Sequence, residues 1–149
     1  MSLTAKPTSR LVRMTVTTAE DDYKDCVQLL LDAGAKIDVR NHLDQTPLIL
    51  ACLGQATSTL ELLIKRGADV HTIYKDGRTA LHAAIVKDNK SWDCAKMLLR
   101  AGVDVNRPDN YGYTPVHIAA LNEFSSCVHM LIGKSDKTQF PQEAINLRK

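Results

Sequence analysis

Apolar residues recur along this chain at helical spacing, in short runs that come in pairs. Leu48, Ala51 and Cys52 form the first run of one pair, Leu81, Ala84 and Ile85 that of the next, and Val116, Ala119 and Ala120 that of a third. Each falls at i, i+3 and i+4, the spacing that lines one face of an α-helix. A second run follows each of them: Leu60, Leu63 and Ile64, then Ala95, Leu98 and Leu99, then Val128, Leu131 and Ile132. Thr46, Thr79 and Thr114 stand just before the first runs, where a hydroxyl can accept a bond from an orphan backbone N–H. Pro47 and Pro115 come next, at the one helical position where a missing N–H costs nothing. Gly54 and Asn89 suit the ends of first helices, and Gly67 and Gly102 the ends of second helices. Polar turns such as Lys75-Asp76-Gly77 lead into each unit. The pattern predicts helix–turn–helix units whose small alanines let neighbouring helices approach closely.

The units share wording as well as spacing. Asp44-Gln-Thr-Pro-Leu-Ile-Leu-Ala, Gly77-Arg-Thr-Ala-Leu-His-Ala-Ala and Gly112-Tyr-Thr-Pro-Val-His-Ile-Ala-Ala are versions of one phrase. Thr46 to Thr79 is a step of 33 residues and Thr79 to Thr114 a step of 35, and Gly34, Gly67 and Gly102 keep the same steps. A period of this length is the mark of a stacked solenoid, in which one unit cannot bury its apolar face alone and neighbours share a core. The two extra residues fall around Lys87–Trp92, in a loop between helices, where surface placement tolerates insertion. Trp92 itself is expected to pack at the junction of this loop with the following helix. Residues 26–34 read as the second helix of an earlier unit, whose first helix around Arg10–Thr18 has lost the shared phrase. The chain therefore divides into a degenerate first repeat at 7–38, repeats at 39–71, 72–106 and 107–138, and a tail at 139–149. The tail reads as a short closing helix starting at Pro141, with a frayed end as the alternative.

These phrases resemble the ankyrin repeat, Asp-x-x-Gly-x-Thr-Pro-Leu-His-x-Ala-Ala closed by Leu-Leu-x-x-Gly-Ala-Asp-Val-Asn. Residues 41–135 match over three units and 25–38 match the tail of a fourth. The resemblance implies an all-α solenoid of stacked helix-turn-helix units with projecting β-turn fingers. It also implies a protein–protein interaction module rather than an enzyme. Departures from the family pattern are Asp44 for the turn glycine, Ala80 for proline, Ile49 for histidine and His71 for the closing asparagine. By resemblance, His82 and His117 bond locally near a threonine hydroxyl, and Asn106 is a possible site of hydroxylation by a cytosolic dioxygenase. The plainer role for Asn106 is to stabilise its own turn.

Composition narrows the function further. A net charge of +2, from 19 basic and 17 acidic residues spread along 149, lacks the basic stripe that a nucleic-acid partner requires. No apolar run approaches the roughly 18 residues of a membrane span, and no signal peptide is read at the start, so this segment is not expected to contact a membrane. Cys26, Cys94 and Cys127 each precede a helix-end position by eight residues, which places them at one equivalent site in separate repeats. Stacked helices lie about 10 Å apart, whereas disulfide Cα atoms must come within about 7 Å. Free, half-buried thiols in a reducing compartment, cytoplasmic or nuclear, are the expectation. Five histidines lack ligand-pair spacing, and no nucleophile or phosphate-loop motif is present, so no metal, cofactor or small-molecule substrate is expected.

What remains is the set of turn tips that the architecture leaves outward. Ile73, Tyr74 and Lys75 in one turn, and Arg107, Asn110, Tyr111 and Tyr113 in the next, are the expected partner-binding residues, joined by Lys87 and Asn122 on the concave helix face. Tyrosine suits such a role because it offers apolar area while its hydroxyl stays polar. Changing Tyr74 and Tyr111 together to alanine is expected to weaken binding without lowering stability. Leu53, Val86 and Leu121 are assigned instead to packing between repeats. The alternative function is a cytoplasmic ankyrin-repeat fragment of a larger membrane protein, such as a sensory ion channel.

Overall fold

Threonine capping sets the frame of the molecule. In the computed structural model, which describes residues 24–85 and 92–135, Thr46, Thr79 and Thr114 all have extended backbones. Their Oγ1 atoms accept the N–H groups of Ile49 (3.3 Å), His82 (3.3 Å) and His117 (3.2 Å). Helices α2 (Pro47–Gly54), α4 (Ala80–Ala84) and α6 (Pro115–Leu121) start there, and each is followed by a partner: α3 (Thr57–Lys65), α5 (Asp93–Arg100) and α7 (Ser125–Ser135). An earlier helix, α1 (Lys24–Asp32), precedes them, and a single 3-10 turn spans Lys75–Gly77. The only strand-like pairing among the described residues is an isolated bridge between Ile73 and Thr79. The first helix expected around Arg10–Thr18, the insertion at 86–91 and the closing helix from Pro141 all lie outside the described residues.

The helices stack in two rows. Helices α2, α4 and α6 pack on one another in sequence, α1, α3 and α5 do the same alongside, and within each unit α2 meets α3, α4 meets α5 and α6 meets α7. Leu48, Leu81 and Val116 are all buried in the shared interior, with Ala51, Ala83, Ala84 and Ala119 fully buried between the rows. Burying each such leucine contributes roughly 1.5–3 kcal/mol. Trp92 closes the α5–α7 side as expected: its indole lies 5.1 Å from the Phe124 ring and its Nε1–H donates to Ser126 Oγ at 2.9 Å.

Gly34, Gly67 and Gly102 take left-handed φ angles of +97°, +88° and +87°, closing α1, α3 and α5 as their positions predict. Helix α2 ends differently. Gly54 is its last helical residue, but the left-handed turn falls on Gln55 (φ 57°). That conformation costs a non-glycine residue about 1–2 kcal/mol. Glu123 takes the same conformation at the equivalent place after α6 (φ 59°), and Gln55 Nε2 in addition donates to the Ala84 carbonyl at 3.0 Å, tying α2 to α4.

The turns project as fingers, two of which are organised by their first side chain. Asn41 Oδ1 accepts the N–H groups of Leu43 (2.9 Å) and Gln45 (3.0 Å). Asp109 Oδ1 does the same for Tyr111 and Tyr113, both at 2.9 Å. Fingers are also joined to each other. Arg40 donates to the Ile73 carbonyl and to Thr72 Oγ1, both at 2.8 Å, and Asn110 N–H donates to the Asp76 carbonyl at 2.8 Å. Gly77 (φ +71°) sits directly under the Asn110 amide, so a Cβ there would collide with it.

Candidate functional site

Repeat register explains what each finger shows to solvent. Asn41, Tyr74 and Asp109 hold one slot of the turn, Leu43, Asp76 and Tyr111 the slot two residues on, and Gln45, Arg78 and Tyr113 the slot before the capping threonine. The first slot points inward. Tyr74, expected as an exposed anchor, is therefore buried, with only 9% of its surface accessible. Burial pushes its phenol pKa up, opposed by the neighbouring Arg78 guanidinium. The expectation that its removal would spare stability is corrected accordingly. Tyr111, in the outward slot, is 67% exposed, and Tyr113 is also exposed.

Lys75, Arg107, Asn110 and Asn122 are exposed and Ile73 is half-buried, whereas Lys87 lies outside the described residues. Two of these have structural duties as well. Asn110 covers Gly77 and bonds the preceding finger, and Asn122 Nδ2 donates to the Ile118 carbonyl at 2.8 Å. The assignment of Leu121 to repeat packing is also corrected. Leu53 packs half-buried against the core, but Leu121 at the corresponding place on α6 is 52% exposed. Leu43, not singled out from the sequence, is 53% exposed at the tip of the first finger. The readable signal was its register with Tyr111.

Beneath this edge lies a polar network that fixes the fingers. His82, fully buried, accepts the Thr79 N–H at Nδ1 (3.0 Å), and Nδ1 also meets Thr79 Oγ1 at 2.8 Å. Its proton therefore sits on Nε2, which donates to the Tyr113 carbonyl at 2.8 Å in the next unit. Burial lowers its pKa, the bond to Tyr113 opposing. His117 repeats the threonine contacts, at 2.9 Å from Thr114 N and 2.7 Å from its Oγ1. The local bonding expected of both histidines is thus present. Asp109, buried, faces Arg78 across the unit boundary with Oδ2 at 3.8 Å from Nε.

Most of the thiols are shut away from solvent. Cys52, Cys94 and Cys127 are buried rather than half-buried, and Cys26 alone is half-buried. Burial, with a smaller contribution from Cys94, raises the Cys52 thiol, and burial pushes Cys127 up to about 12. A nucleophilic cysteine needs the opposite shift. Among the described residues no group of histidine, cysteine and carboxylate side chains is arranged to hold a metal ion. The arrangement displays apolar and aromatic tips on the fingers.

A family model described as ankyrin repeats (3 copies) matches residues 15–109 and 57–141. The chain is 31% identical over 112 residues to B-cell lymphoma 3 protein of Homo sapiens, covering 72% of this chain and 24% of that protein. It is 34% identical over 114 residues to Ankyrin repeat and SOCS box protein 16 of Homo sapiens, covering 76% of this chain and 24% of that one. It is 30% identical over 143 residues to Probable E3 ubiquitin-protein ligase XBOS32 of Oryza sativa, covering 76% and 29% respectively. The chain thus spans about a quarter of the length of these curated relatives. Phrase, capping geometry, stacking and family match agree: the chain belongs to the ankyrin-repeat family.

Proposed function

We propose that this array is a non-catalytic module that binds a protein partner along its finger edge and the adjoining inner row of helices. Ankyrin repeats in general mediate protein–protein interaction. The observation that carries the reading is the exposure of Leu43 and Tyr111, on turns held by Asn41 and Asp109, and of Leu121, at the end of α6. A backbone already ordered before binding loses little further entropy when a partner covers the side chains it carries. Lys75, Arg107 and Asn122 supply a polar rim around these tips, and Tyr113 adds a second ring beside Tyr111. A specific interface buries on the order of 1,200–2,000 Å² in total, an extent that several adjacent fingers can share. Buried free thiols suit a reducing compartment, cytoplasmic or nuclear.

A second reading is supported by the relatives, of which the matched segment is about a quarter. In it the array is the interaction segment of a larger protein, such as a membrane protein with a cytoplasmic array. No helix among the described residues is long and apolar enough to cross a membrane. The first reading is tested by purifying binding proteins with the wild-type chain and with a Tyr111→Ala/Leu121→Ser variant, then measuring the affinity of one captured protein for both. A loss of about tenfold or more with an unchanged melting temperature is expected. Equal affinity would remove the finger edge from the interface.

A further inference from the structure

The outer row of helices carries a second, unrelated feature. Between α1 and α3 the gap is clipped by an ion pair, Arg66 Nη1 to Asp32 Oδ1 at 2.8 Å. Carried one repeat onward, the same two places between α3 and α5 are held by Lys65 and Ala101. The bridging side chain is gone, although the backbone there is equivalent: Ala101 has φ −79° and ψ −3°, Arg66 φ −87° and ψ 7°. Its place is taken by a hollow of about 230 Å³ with Ile64, Met97 and Ala101 as its apolar surface. A second hollow of about 210 Å³ adjoins it through Glu61, Met97 and Arg100 and runs toward Asp93.

Charge along this groove alternates between basic and acidic side chains. Lys65 and Arg100 stand at one end and Asp93 at the other, with Glu61 and Lys96 between. Glu61 is already engaged by Lys65 at 3.3 Å, whereas no ion pair among the described residues uses Arg100 or Asp93. Asp93 and Arg100 lie seven residues apart on α5, about 10 Å at a helical rise of 1.5 Å per residue. Each hollow is smaller than the roughly 300–1,000 Å³ of a small-molecule site, but of a size for one large aliphatic side chain. Methionine at the centre adapts its shape to such an occupant.

We propose that the α3–α5 groove is a docking site for an amphipathic helical segment of a partner protein. The segment seats leucine-type side chains on Met97, Ile64 and Ala101, sets a carboxylate against Arg100 in place of the missing clip, and directs a basic residue about two turns away toward Asp93. This is the helix-in-groove mode of recognition, with register fixed by the charges at the two ends. The site lies on the opposite row of helices from the finger edge and does not depend on it.

The probe is the synthetic peptide acetyl-AEELAQLLAKKA-amide, titrated into the full chain carrying carbon-13 methionine methyl groups. Saturable movement of the Met97 methyl resonance is expected. Ala101→Arg, which fills the hollow with the side chain found at this place one repeat earlier, is expected to abolish it. Arg100→Gln, an exposed change, is expected to weaken it about two- to fivefold, as is replacing both glutamates of the peptide by glutamine. Tyr111→Ala leaves it unchanged. Absence of saturable movement at Met97 overturns the proposal, as does equal affinity for the glutamine peptide. Undiminished binding by a folded Ala101→Arg chain does the same, and if that variant does not fold, undiminished binding by Arg100→Gln decides against it.

Discussion

Replacing His82 by leucine removes three polar contacts from the interior while leaving a side chain of similar size. The Thr79 N–H, in a buried setting, loses its acceptor at 3.0 Å, and an orphaned buried donor costs roughly 1–3 kcal/mol. The contacts to Thr79 Oγ1 and the Tyr113 carbonyl, both at 2.8 Å, are lost as well, at about 1 kcal/mol each. The Tyr113 carbonyl keeps its other donor, Asp109 N–H at 2.8 Å, so it is not stranded. Relief from burying an imidazole offsets about 1 kcal/mol, and Ile49, fully buried at the same place one unit earlier, shows that the slot accepts an aliphatic chain. The net loss is about 2–4 kcal/mol. His117→Leu provides the internal comparison. Its threonine contacts are the same, but among the described residues its Nε2 has no acceptor in a following unit, so its cost is smaller by about 1 kcal/mol. Urea unfolding followed by Trp92 fluorescence, with unchanged slope, measures both. A loss below about 1 kcal/mol for His82→Leu, or one no larger than that for His117→Leu, refutes the role given to the bond between repeats.

Three further outcomes follow from the same geometry. Because burial lowers the folded-state pKa of His82 below its ordinary 6.5, the unfolded chain takes up a proton first, and stability falls as pH drops through about 6.5. Urea titrations between pH 7.5 and 5.5 should show a shallower decline for His82→Leu than for the wild type, and identical slopes would contradict this. Tyr74→Ala should cost about 3–4 kcal/mol, as for other large buried side chains, while Tyr111→Ala stays within about 0.5 kcal/mol. Equal melting temperatures for these two variants would show that their exposures are not as described. An aromatic disulfide reagent should label Cys26 in the native chain and reach Cys52, Cys94 and Cys127 only on denaturation, which mass spectrometry of the labelled peptides checks.

The stacking was legible in the sequence because its determinants are local and recur in step. A threonine cap, a proline at the first helical position and a closing glycine need no knowledge of the rest of the molecule, and they mark α2, α3, α4, α5 and α6. What was not legible depends on a neighbour. Gln55 ties its unit to the next because its amide donates to the Ala84 carbonyl, and nothing local announces that bond. Leu53 and Leu121 are the same residue type in the same register. Helix α4 packs over α2, whereas no further helix stacks on α6 among the described residues, and only Leu121 is left open to solvent.

Tyr74 was misplaced for a different reason. Residue type alone groups the three tyrosines near two turns, whereas the slot within the turn decides the direction of the side chain. Asn41 and Asp109, in the slot of Tyr74, are the groups that accept N–H bonds from their own turns. A side chain in that slot is turned into the finger, whatever its chemistry. Tyr74 cannot accept those bonds; its finger keeps the bond from its N–H to the Arg78 carbonyl (2.9 Å), which Asn41 and Asp109 also make in theirs, and adds a second positive φ at Asp76 beside that of Gly77. The same comparison by slot finds Leu43 beside Tyr111 and finds Ala101 where Arg66 had bridged two helices. In a repeat array the register therefore carries two kinds of information. Where successive units agree, it reports the core, and where one unit departs from the others at a slot with a known direction, it reports a surface free to be used.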